Sequence, residues 1–233
     1  MLGSLSFNGQ RCTALKILIV HRSLAERFVA RFVEEVKKLK AGMPWEPGVT
    51  ITPLPELGKV DYMAKMVEDA TGKGARVVNP GGGEHVGTMF FPAVVYPVSE
   101  GMMLYREEQF GPIVPILPFD DIETALDYVV TSEHGQQVSI FSQDPKTVGR
   151  LVDPLVNQVC RVNVNCQCQR GPDVFPFTGR KDSAEGTLSV TDALRSFSIR
   201  SMVAAKQTEG SKHLLDRIVR EHTSNFVSTG FIF

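Results

Sequence analysis

The chain has 233 residues, of which 42% are hydrophobic and 22% are charged, and its formal net charge is −1. These proportions are ordinary for a globular protein, and the length is sufficient for one large domain or two small ones around a buried core. The balanced charge gives no reason to expect nucleic acid or a membrane as a partner, and no apolar run approaches the ~20 residues that a membrane-spanning helix needs.

The spacing of the cysteines bears on the compartment and on metal binding. They are Cys12, Cys160, Cys166 and Cys168. Neither the spacing of a zinc site nor a Cys-x-x-Cys redox pair occurs, and the five histidines are scattered. The N-terminus also lacks the basic-then-apolar pattern of a signal peptide. We therefore expect reduced thiols, a cytoplasmic location and no bound metal.

The first third of the chain predicts a strand followed by two helices. The apolar run 15–20, broken only by Lys16, predicts a short buried strand. Ser23-Leu24-Ala25-Glu26 has the form of a capping box and predicts a helix from there to about Leu39. Prolines between residues 44 and 58 predict an extended connection, and apolar spacing predicts a second helix over residues 59–70.

The next segments predict an alternation of strands and helices. Gly81-Gly82-Gly83 lacks the spacing of a phosphate-binding loop and predicts a surface turn. Strands are predicted at 76–78, 89–95, 113–118, 138–141 and 160–164. Helices are predicted at 121–130, closed by His134-Gly135, and from Asp144 to about Leu151. This order predicts an α/β fold in which a parallel or mixed sheet is flanked by helices.

The C-terminal region predicts a strand and a helical tail. Residues 198–205 have the composition of a late strand, and residues 211–222 form an amphipathic helical pattern. Residues 226–233 are apolar enough to need a docking site.

A cysteine stands in the polar stretch Phe7-Asn8-Gly9-Gln10-Arg11-Cys12-Thr13-Ala14, directly before the first predicted strand. Backbone N–H groups at the end of a loop, with Arg11 as a neighbouring cation, would stabilise a thiolate at Cys12, and the thiolate is the nucleophilic form. The alternative is that Cys12 packs as a small apolar residue. This stretch alone leaves both interpretations open.

Three separate blocks resemble the motifs of the aldehyde dehydrogenase superfamily. They are Gly9-Gln10-Arg11-Cys12-Thr13-Ala14, Glu107-Glu108-Gln109-Phe110-Gly111-Pro112 and Pro176-Phe177-Thr178-Gly179-Arg180-Lys181-Asp182-Ser183. Two further segments, Ile51-Thr52-Pro53-Leu54-Pro55 and Gln167-Cys168-Gln169-Arg170-Gly171-Pro172-Asp173, resemble the NADP-dependent, non-phosphorylating glyceraldehyde-3-phosphate dehydrogenases of that superfamily. The resemblance runs from about Leu5 to about Lys206.

The resemblance implies roles for individual residues. Cys12 is the expected nucleophile, which carries the substrate first as a thiohemiacetal and then as a thioester. Glu108 is expected to accept hydrogen bonds from the nicotinamide ribose of NADP, and Phe110 to pack beside it. Without the motif, Glu108 would be read as a solvated turn carboxylate.

The resemblance also implies a small phosphorylated aldehyde as the substrate. Arg11 and Arg170 match positions that grip the substrate phosphate in the resembling subfamily, and Thr13 matches a hydroxyl contact. A guanidinium suits this task because it binds two phosphate oxygens at once. Surface pairing with carboxylates is the alternative for either arginine. Asn163 and Asn165 are candidates for orienting the substrate loop.

The resemblance has limits that affect the expected activity. The NADP-binding domain of the family, with its general base and oxyanion asparagine, lies before the cysteine and cannot be placed in the eleven residues that precede Cys12. We therefore expect residues 1–206 to be the catalytic domain, residues 207–233 to be an extension, and the chain by itself to show little or no turnover. The parent protein is expected to be a homo-oligomer, a dimer or a tetramer. Another aldehyde or semialdehyde dehydrogenase, and a non-catalytic binding or oligomerisation domain, are the alternatives.

Overall fold

The computed structural model of the protein describes residues 1–227, which divide into two compact units, Met1–Ser189 and the segment from Val190 onward. The helices of the first unit are α1 (Leu2–Leu5), α2 (Arg22–Val36), α3 (Lys59–Gly72), α4 (Met103–Arg106), α5 (Ile122–Thr131) and α6 (Pro145–Leu155). The second unit contains α7 (Val190–Ser196) and α8 (Glu209–Arg220). None of the helices in the described part of the chain combines the length and the apolar character needed to cross a bilayer.

Ten short strands complete the first unit. They are β1 (Leu18–His21), β2 (Arg76–Val77), β3 (His85–Val86), β4 (Met89–Phe90), β5 (Ala93–Tyr96), β6 (Ile113–Phe119), β7 (His134–Gly135), β8 (Gln137–Ile140), β9 (Arg161–Val164) and β10 (Arg180–Lys181).

The central sheet has the strand order β1-β6-β5-β2. β6 runs parallel to both β1 and β5, whereas β2 is antiparallel to β5. Helices cover both faces: Val94 of β5 packs in the cluster that contains α2, and its neighbours Ala93 and Val95 pack in the cluster that contains α3. The alternation follows from the two-residue side-chain period of a strand. The predicted mixed sheet flanked by helices is confirmed.

A second, parallel pair of strands has one apolar and one polar face. Val138 and Ile140 of β8 and Val162 of β9 pack with α5 and α6 around Leu151. The residues that alternate with them carry polar side chains and belong to the opposite face. β7 and β10 pair separately in an antiparallel ribbon.

Several predicted boundaries are wrong for identifiable physical reasons. The helix α2 begins at Arg22 rather than with a Ser23 cap, because the His21 ring nitrogen Nδ1 accepts from the Ser23 N–H. The predicted strand 89–95 is two strands in different sheets, separated by Pro92, which has no N–H to donate. His134-Gly135 does not close α5, since both residues form β7.

The predicted C-terminal elements agree with the structure only in part. Residues 198–205 form no strand in the described chain, because no described segment pairs with them. The predicted helix is present as α8, capped by the Thr208 hydroxyl, which accepts from the Ser211 N–H. The apolar tail at residues 226–233 lies mostly outside the described residues, so its docking stays a prediction.

Replacement of Asn79 by alanine tests the anchoring of the central sheet. The buried Asn79 amide donates to the Pro92 carbonyl (2.8 Å) and accepts from the Val94 N–H (2.7 Å) where β5 begins. Removing it leaves two buried backbone groups unpaired, so Asn79→Ala should lower the free energy of unfolding by about 2–3 kcal/mol in denaturant titrations. The exposed Asn157→Ala variant is the control and should change stability little; equal losses in both variants would contradict the prediction.

Candidate active site

The loop of residues 6–14, here called the Cys12 loop, starts with a left-handed turn. Phe7, Asn8 and Gly9 have φ angles of 54°, 59° and 68°. The Asn8 amide donates to the carbonyl (3.1 Å) and hydroxyl (2.9 Å) of Thr52 and accepts from its N–H (3.0 Å). Such backbone conformations are costly for residues other than glycine and persist only where the surroundings hold them. Asn8 and Thr52 supply that constraint.

The Cys12 loop packs directly against residues 107–112, here called the Glu108 turn. A Cβ atom built on Gly9 would lie 2.6 Å from the Gly111 carbonyl oxygen and 2.9 Å from that of Ser4. Only glycine permits so close an approach of two backbones. The first and second sequence motifs are therefore in contact.

Gln109 fastens the same two segments by hydrogen bonds. Its buried amide nitrogen donates to the Lys16 carbonyl (2.8 Å) and to the Ile113 carbonyl (3.0 Å). The sequence offered no signal for this role, since a glutamine inside a turn motif is most simply read as solvated. The amide ties the strand entry after Cys12 to the end of the Glu108 turn.

Cys12 is an exposed free cysteine in a turn closed by the Ala14 N–H, which donates to the Arg11 carbonyl (3.0 Å). Within residues 1–227 the backbone N–H of Cys12 donates no hydrogen bond. An exposed thiol beside an unpaired N–H satisfies the geometric requirement for a nucleophile whose own amide can stabilise an oxyanion.

Arg11 directly precedes Cys12 in the chain and is half-buried. Its guanidinium lies 5.8 Å from the centre of the Phe7 ring. Its Nε and one terminal nitrogen, Nη2, are shielded from solvent yet have no acceptor among the described residues. Buried donors that lack acceptors are rare in native structures, and a charged group is the costliest to leave unpaired. The arrangement is suited to an anionic ligand.

The Glu108 turn presents a carboxylate and an aromatic ring to solvent. The Glu108 side chain is half exposed and accepts no hydrogen bond from the described residues. Phe110 follows with a φ of 36° and a partly exposed ring. Unused carboxylate oxygens beside an apolar ring fit the ribose diol and nicotinamide of a dinucleotide.

Lys16 is a titratable group of this region that the sequence shows only as a charge within an apolar run. Its ammonium donates to the carbonyls of Tyr105 (2.9 Å) and Leu104 (3.4 Å). Burial lowers the pKa of Lys16 to about 8, and the nearby charges of Glu108 and Glu107 oppose that shift. Lys16 thus joins the strand after Cys12 to α4 and places a cation behind the Glu108 turn.

The third motif supports the Glu108 turn through β7. His134 lies with its Nε2 3.9 Å from a Glu108 carboxylate oxygen. The Ser183 hydroxyl accepts from the Gly135 N–H (2.9 Å), and Lys181 pairs with His134 across the ribbon. The Lys181 ammonium caps the C-terminus of α5 by donating to the carbonyls of Val129, Val130 and Ser132. The motif residues therefore act on packing at a distance from Cys12.

Arg170 lies on an exposed loop, residues 166–173, here called the Arg170 loop. Its guanidinium lies 4.0 Å from a carboxylate oxygen of Asp173 and 5.6 Å from the centre of the Phe177 ring. The loop begins close to α1, since a Cβ atom built on Gly3 would lie 3.6 Å from the Cβ atom of Gln167. Among the described residues, no hydrogen bond or ion pair links the Arg170 side chain to the Cys12 loop.

The remaining predicted residues differ in their access to solvent. Thr13 is only 5% exposed. Asn163 is buried and donates to the Gln137 side chain (3.2 Å), whereas Asn165 bonds to the backbone of Ser142 on another loop. The described residues contain no cluster of three metal-ligating side chains. The substrate role of Thr13 stays a prediction.

Comparisons with known proteins show the family to which the chain belongs. A sequence profile described as "Aldehyde dehydrogenase family" matches residues 1–203. The NADP-dependent glyceraldehyde-3-phosphate dehydrogenase of Streptococcus equinus is 34% identical over 206 residues, which are 88% of this chain and 41% of that protein.

Solved structures of similar proteins share the fold of this chain. The NADP complex of the NADP-dependent glyceraldehyde-3-phosphate dehydrogenase from Bacillus halodurans has a TM-score of 0.77 at 33% identity, over 82% of this chain and 39% of that one. Succinate-semialdehyde dehydrogenase from Burkholderia pseudomallei has a TM-score of 0.78 at 28% identity, over 84% and 40%. This chain spans about two fifths of the length of these relatives.

Gly9→Ala tests the contact between the Cys12 loop and the Glu108 turn. The added methyl would meet two carbonyl oxygens, and the φ of 68° disfavours alanine, so the free energy of unfolding should fall by more than about 2 kcal/mol. Gly48→Ala is the matched control, because Gly48 has a φ of 76° and no atom near its Cβ position; it should lose only about 1 kcal/mol. Equal losses in denaturant titrations would refute the close backbone contact.

Lys16→Met tests the buried ammonium through the pH dependence of stability. Because the Lys16 pKa is about 8 in the folded chain and 10.5 in the reference state, the unfolded chain binds more protons between these values. The contribution of Lys16 to the free energy of unfolding therefore rises with pH between about 8 and 10.5 and is lost as the pH falls towards 8. Between pH ~7.5 and ~9.5 the wild-type chain should gain roughly 1–2 kcal/mol of unfolding free energy relative to Lys16→Met. The exposed Lys37→Met variant should follow the wild-type curve, and a wild-type curve parallel to that of Lys16→Met would disprove the effect.

Proposed function

Because this chain belongs to the aldehyde dehydrogenase family, we propose that it supplies the nucleophile and the substrate-binding residues for NADP-dependent oxidation of a phosphorylated aldehyde. The proposed substrate is D-glyceraldehyde 3-phosphate and the proposed product is 3-phosphoglycerate. The observation that carries the proposal is the half-buried Arg11 guanidinium, which has two unpaired nitrogens and belongs to the residue directly before the exposed Cys12.

The reaction begins at Cys12. Its thiolate adds to the carbonyl carbon of the aldehyde, a C–S bond forms, and the carbonyl electron pair moves to oxygen. The unpaired N–H of Cys12 is placed to donate to this oxyanion. NADP, when bound, supplies a hydride acceptor, so that the carbon attached to Cys12 becomes a thioester. Attack by water on that thioester releases the carboxylic acid and restores the thiol.

Glu108 and Phe110 are the proposed cofactor-binding residues of this chain. The free oxygens of Glu108 would accept from the ribose hydroxyls, and the Phe110 ring would cover the apolar side of the nicotinamide. The names of the relatives from Streptococcus equinus and Bacillus halodurans support NADP as the dinucleotide.

Arg11 favours an anionic substrate because its unpaired N–H groups are shielded from water. A phosphate oxygen that accepts from them gains charge-assisted hydrogen bonds in a partly desolvated site. Arg170 is the second proposed phosphate ligand, and it is exposed enough to leave Asp173 for a substrate. The glyceraldehyde-3-phosphate dehydrogenase names among the relatives support phosphate rather than another anion.

A semialdehyde is the second candidate substrate. The guanidinium of Arg11 would hold a substrate carboxylate by the same two donors. The relative from Burkholderia pseudomallei, a succinate-semialdehyde dehydrogenase, gives this candidate specific support.

Protection of Cys12 against alkylation tests the proposal on the 233-residue chain itself. A thiohemiacetal at Cys12 blocks iodoacetamide, and peptide mass spectrometry reads the labelling of each thiol. D-Glyceraldehyde 3-phosphate should protect Cys12 at about tenfold or more lower concentration than D-glyceraldehyde, since a charge-assisted hydrogen bond contributes about 1.5–3 kcal/mol. Arg11→Met should abolish most of this difference.

The half-buried Cys160, which lies outside the Arg170 loop, is the internal control and should label equally with and without aldehyde. Stronger protection by succinate semialdehyde would select the second candidate. Equal protection by all three aldehydes, or equal protection of both thiols, would contradict an anion-selective Cys12 site.

A further inference from the structure

The polar face of the β8–β9 pair is a platform built from four side chains. Gln137 and Ser139 alternate with apolar residues on β8, and Arg161 and Asn163 alternate with apolar residues on β9. The parallel register places Gln137 beside Arg161 and Ser139 beside Asn163. Asn163 donates to the Gln137 side-chain oxygen at 3.2 Å, so these two members of the platform are joined directly.

The platform holds the Arg170 loop by its backbone. The Gln137 amide donates to the Gln169 carbonyl (3.0 Å) and accepts from the Gln169 N–H (3.1 Å). One nitrogen of Arg161, Nη1, donates both to the Gln169 carbonyl (3.0 Å) and to the Gly171 carbonyl (2.9 Å). The Ser139 hydroxyl lies 3.2 Å from the buried Cys168 sulfur.

These bonds fix the chain on both sides of Arg170. The carbonyls of the residues before and after it, Gln169 and Gly171, converge on a single guanidinium nitrogen. Arg161 is itself oriented by the Phe175 ring, whose centre lies 5.7 Å from its guanidinium carbon. A guanidinium suits this position because each of its terminal nitrogens carries two hydrogens, which can be donated to two carbonyls. The group also remains charged at any ordinary pH.

We infer that Arg161 is a positioning residue that fixes the backbone of the Arg170 loop and thereby sets the selectivity of this chain for phosphorylated aldehydes. The inference rests on the proposed function for the role of Arg170, and on the structure alone for the anchoring of the loop. Arg161 is assigned no substrate contact in this scheme, in which its Nη1 holds the two carbonyls. Its effect on binding is exerted through Arg170.

Arg161→Met in the 233-residue chain separates the two parts of the inference. Amide hydrogen exchange of the peptide that covers residues 166–173 should accelerate about tenfold or more, because the Gly171 carbonyl loses its donor and Gln169 keeps only the Gln137 bonds. In the Cys12 protection assay, the preference for D-glyceraldehyde 3-phosphate over D-glyceraldehyde should fall to the value of Arg170→Met. Arg161→Met combined with Arg170→Met should lower it no further.

Two further variants control for charge and for general damage. Arg150→Met removes an exposed arginine that pairs with Glu123 and should change neither readout. Arg161→Lys keeps a donor and should restore slow exchange to within about threefold of wild type.

The remaining outcomes would contradict either the anchoring of the Arg170 loop or its effect on substrate selectivity. Unchanged exchange in Arg161→Met overturns the anchoring, and an additional loss of preference in the double variant overturns action through Arg170. A wild-type chain with no preference for the phosphorylated aldehyde refutes the proposed substrate, whereas the exchange measurement still decides whether Arg161 holds the loop.

Discussion

The close approach of two backbones at Gly9 and Gly111 is the constraint on which the candidate site depends. It places the exposed Cys12 loop directly against the Glu108 turn, two segments about a hundred residues apart in the chain. Neither position has room for a side chain: at Gly111 a Cβ atom would collide with the Met63 sulfur. The bonds of Gln109 to Lys16 and Ile113 then fix this contact in register.

The rest of the site is supported at a distance from the thiol. The parallel β8–β9 pair packs its apolar face on α5 and α6 and uses its polar face to hold the Arg170 loop. The residues of the third motif, Lys181 and Ser183, hold β7 against α5, and β7 brings His134 to Glu108. The β7–β10 ribbon thus contacts the proposed cofactor-binding carboxylate, and the β8–β9 pair holds the proposed substrate loop.

The two cations near the Cys12 loop, Arg11 and Lys16, differ in the partners of their donors. Two guanidinium nitrogens of Arg11 have no acceptor among the described residues. The Lys16 ammonium, in contrast, donates to the backbone carbonyls of Leu104 and Tyr105. The first arrangement leaves a partly desolvated cation free to bind an anion, and the second fixes a helix end to a strand. Arg11 and Lys16 are only five positions apart, but Lys16 is paired with backbone carbonyls and Arg11 is not.

The sequence by itself determined the fold class and the order of most elements, and it named the residues that are proposed to carry the chemistry. Local patterns were sufficient because apolar spacing reports the face that an element buries, and the three motifs stand in single stretches around Cys12, Glu108 and Lys181. Helix α3 and strand β6 follow directly from such spacing.

Only the tertiary structure decided which groups meet across long stretches of chain. The pairing of β7 with β10, the clamp of Gln109 on the Lys16 carbonyl and the grip of Arg161 on the Arg170 loop each join residues whose partners no local pattern names. The same holds for the helix start at Arg22, where a histidine ring took the place of the expected serine cap. Such contacts depend on packing that is set once the whole core has formed, and that is the physical reason that sequence spacing alone does not determine them.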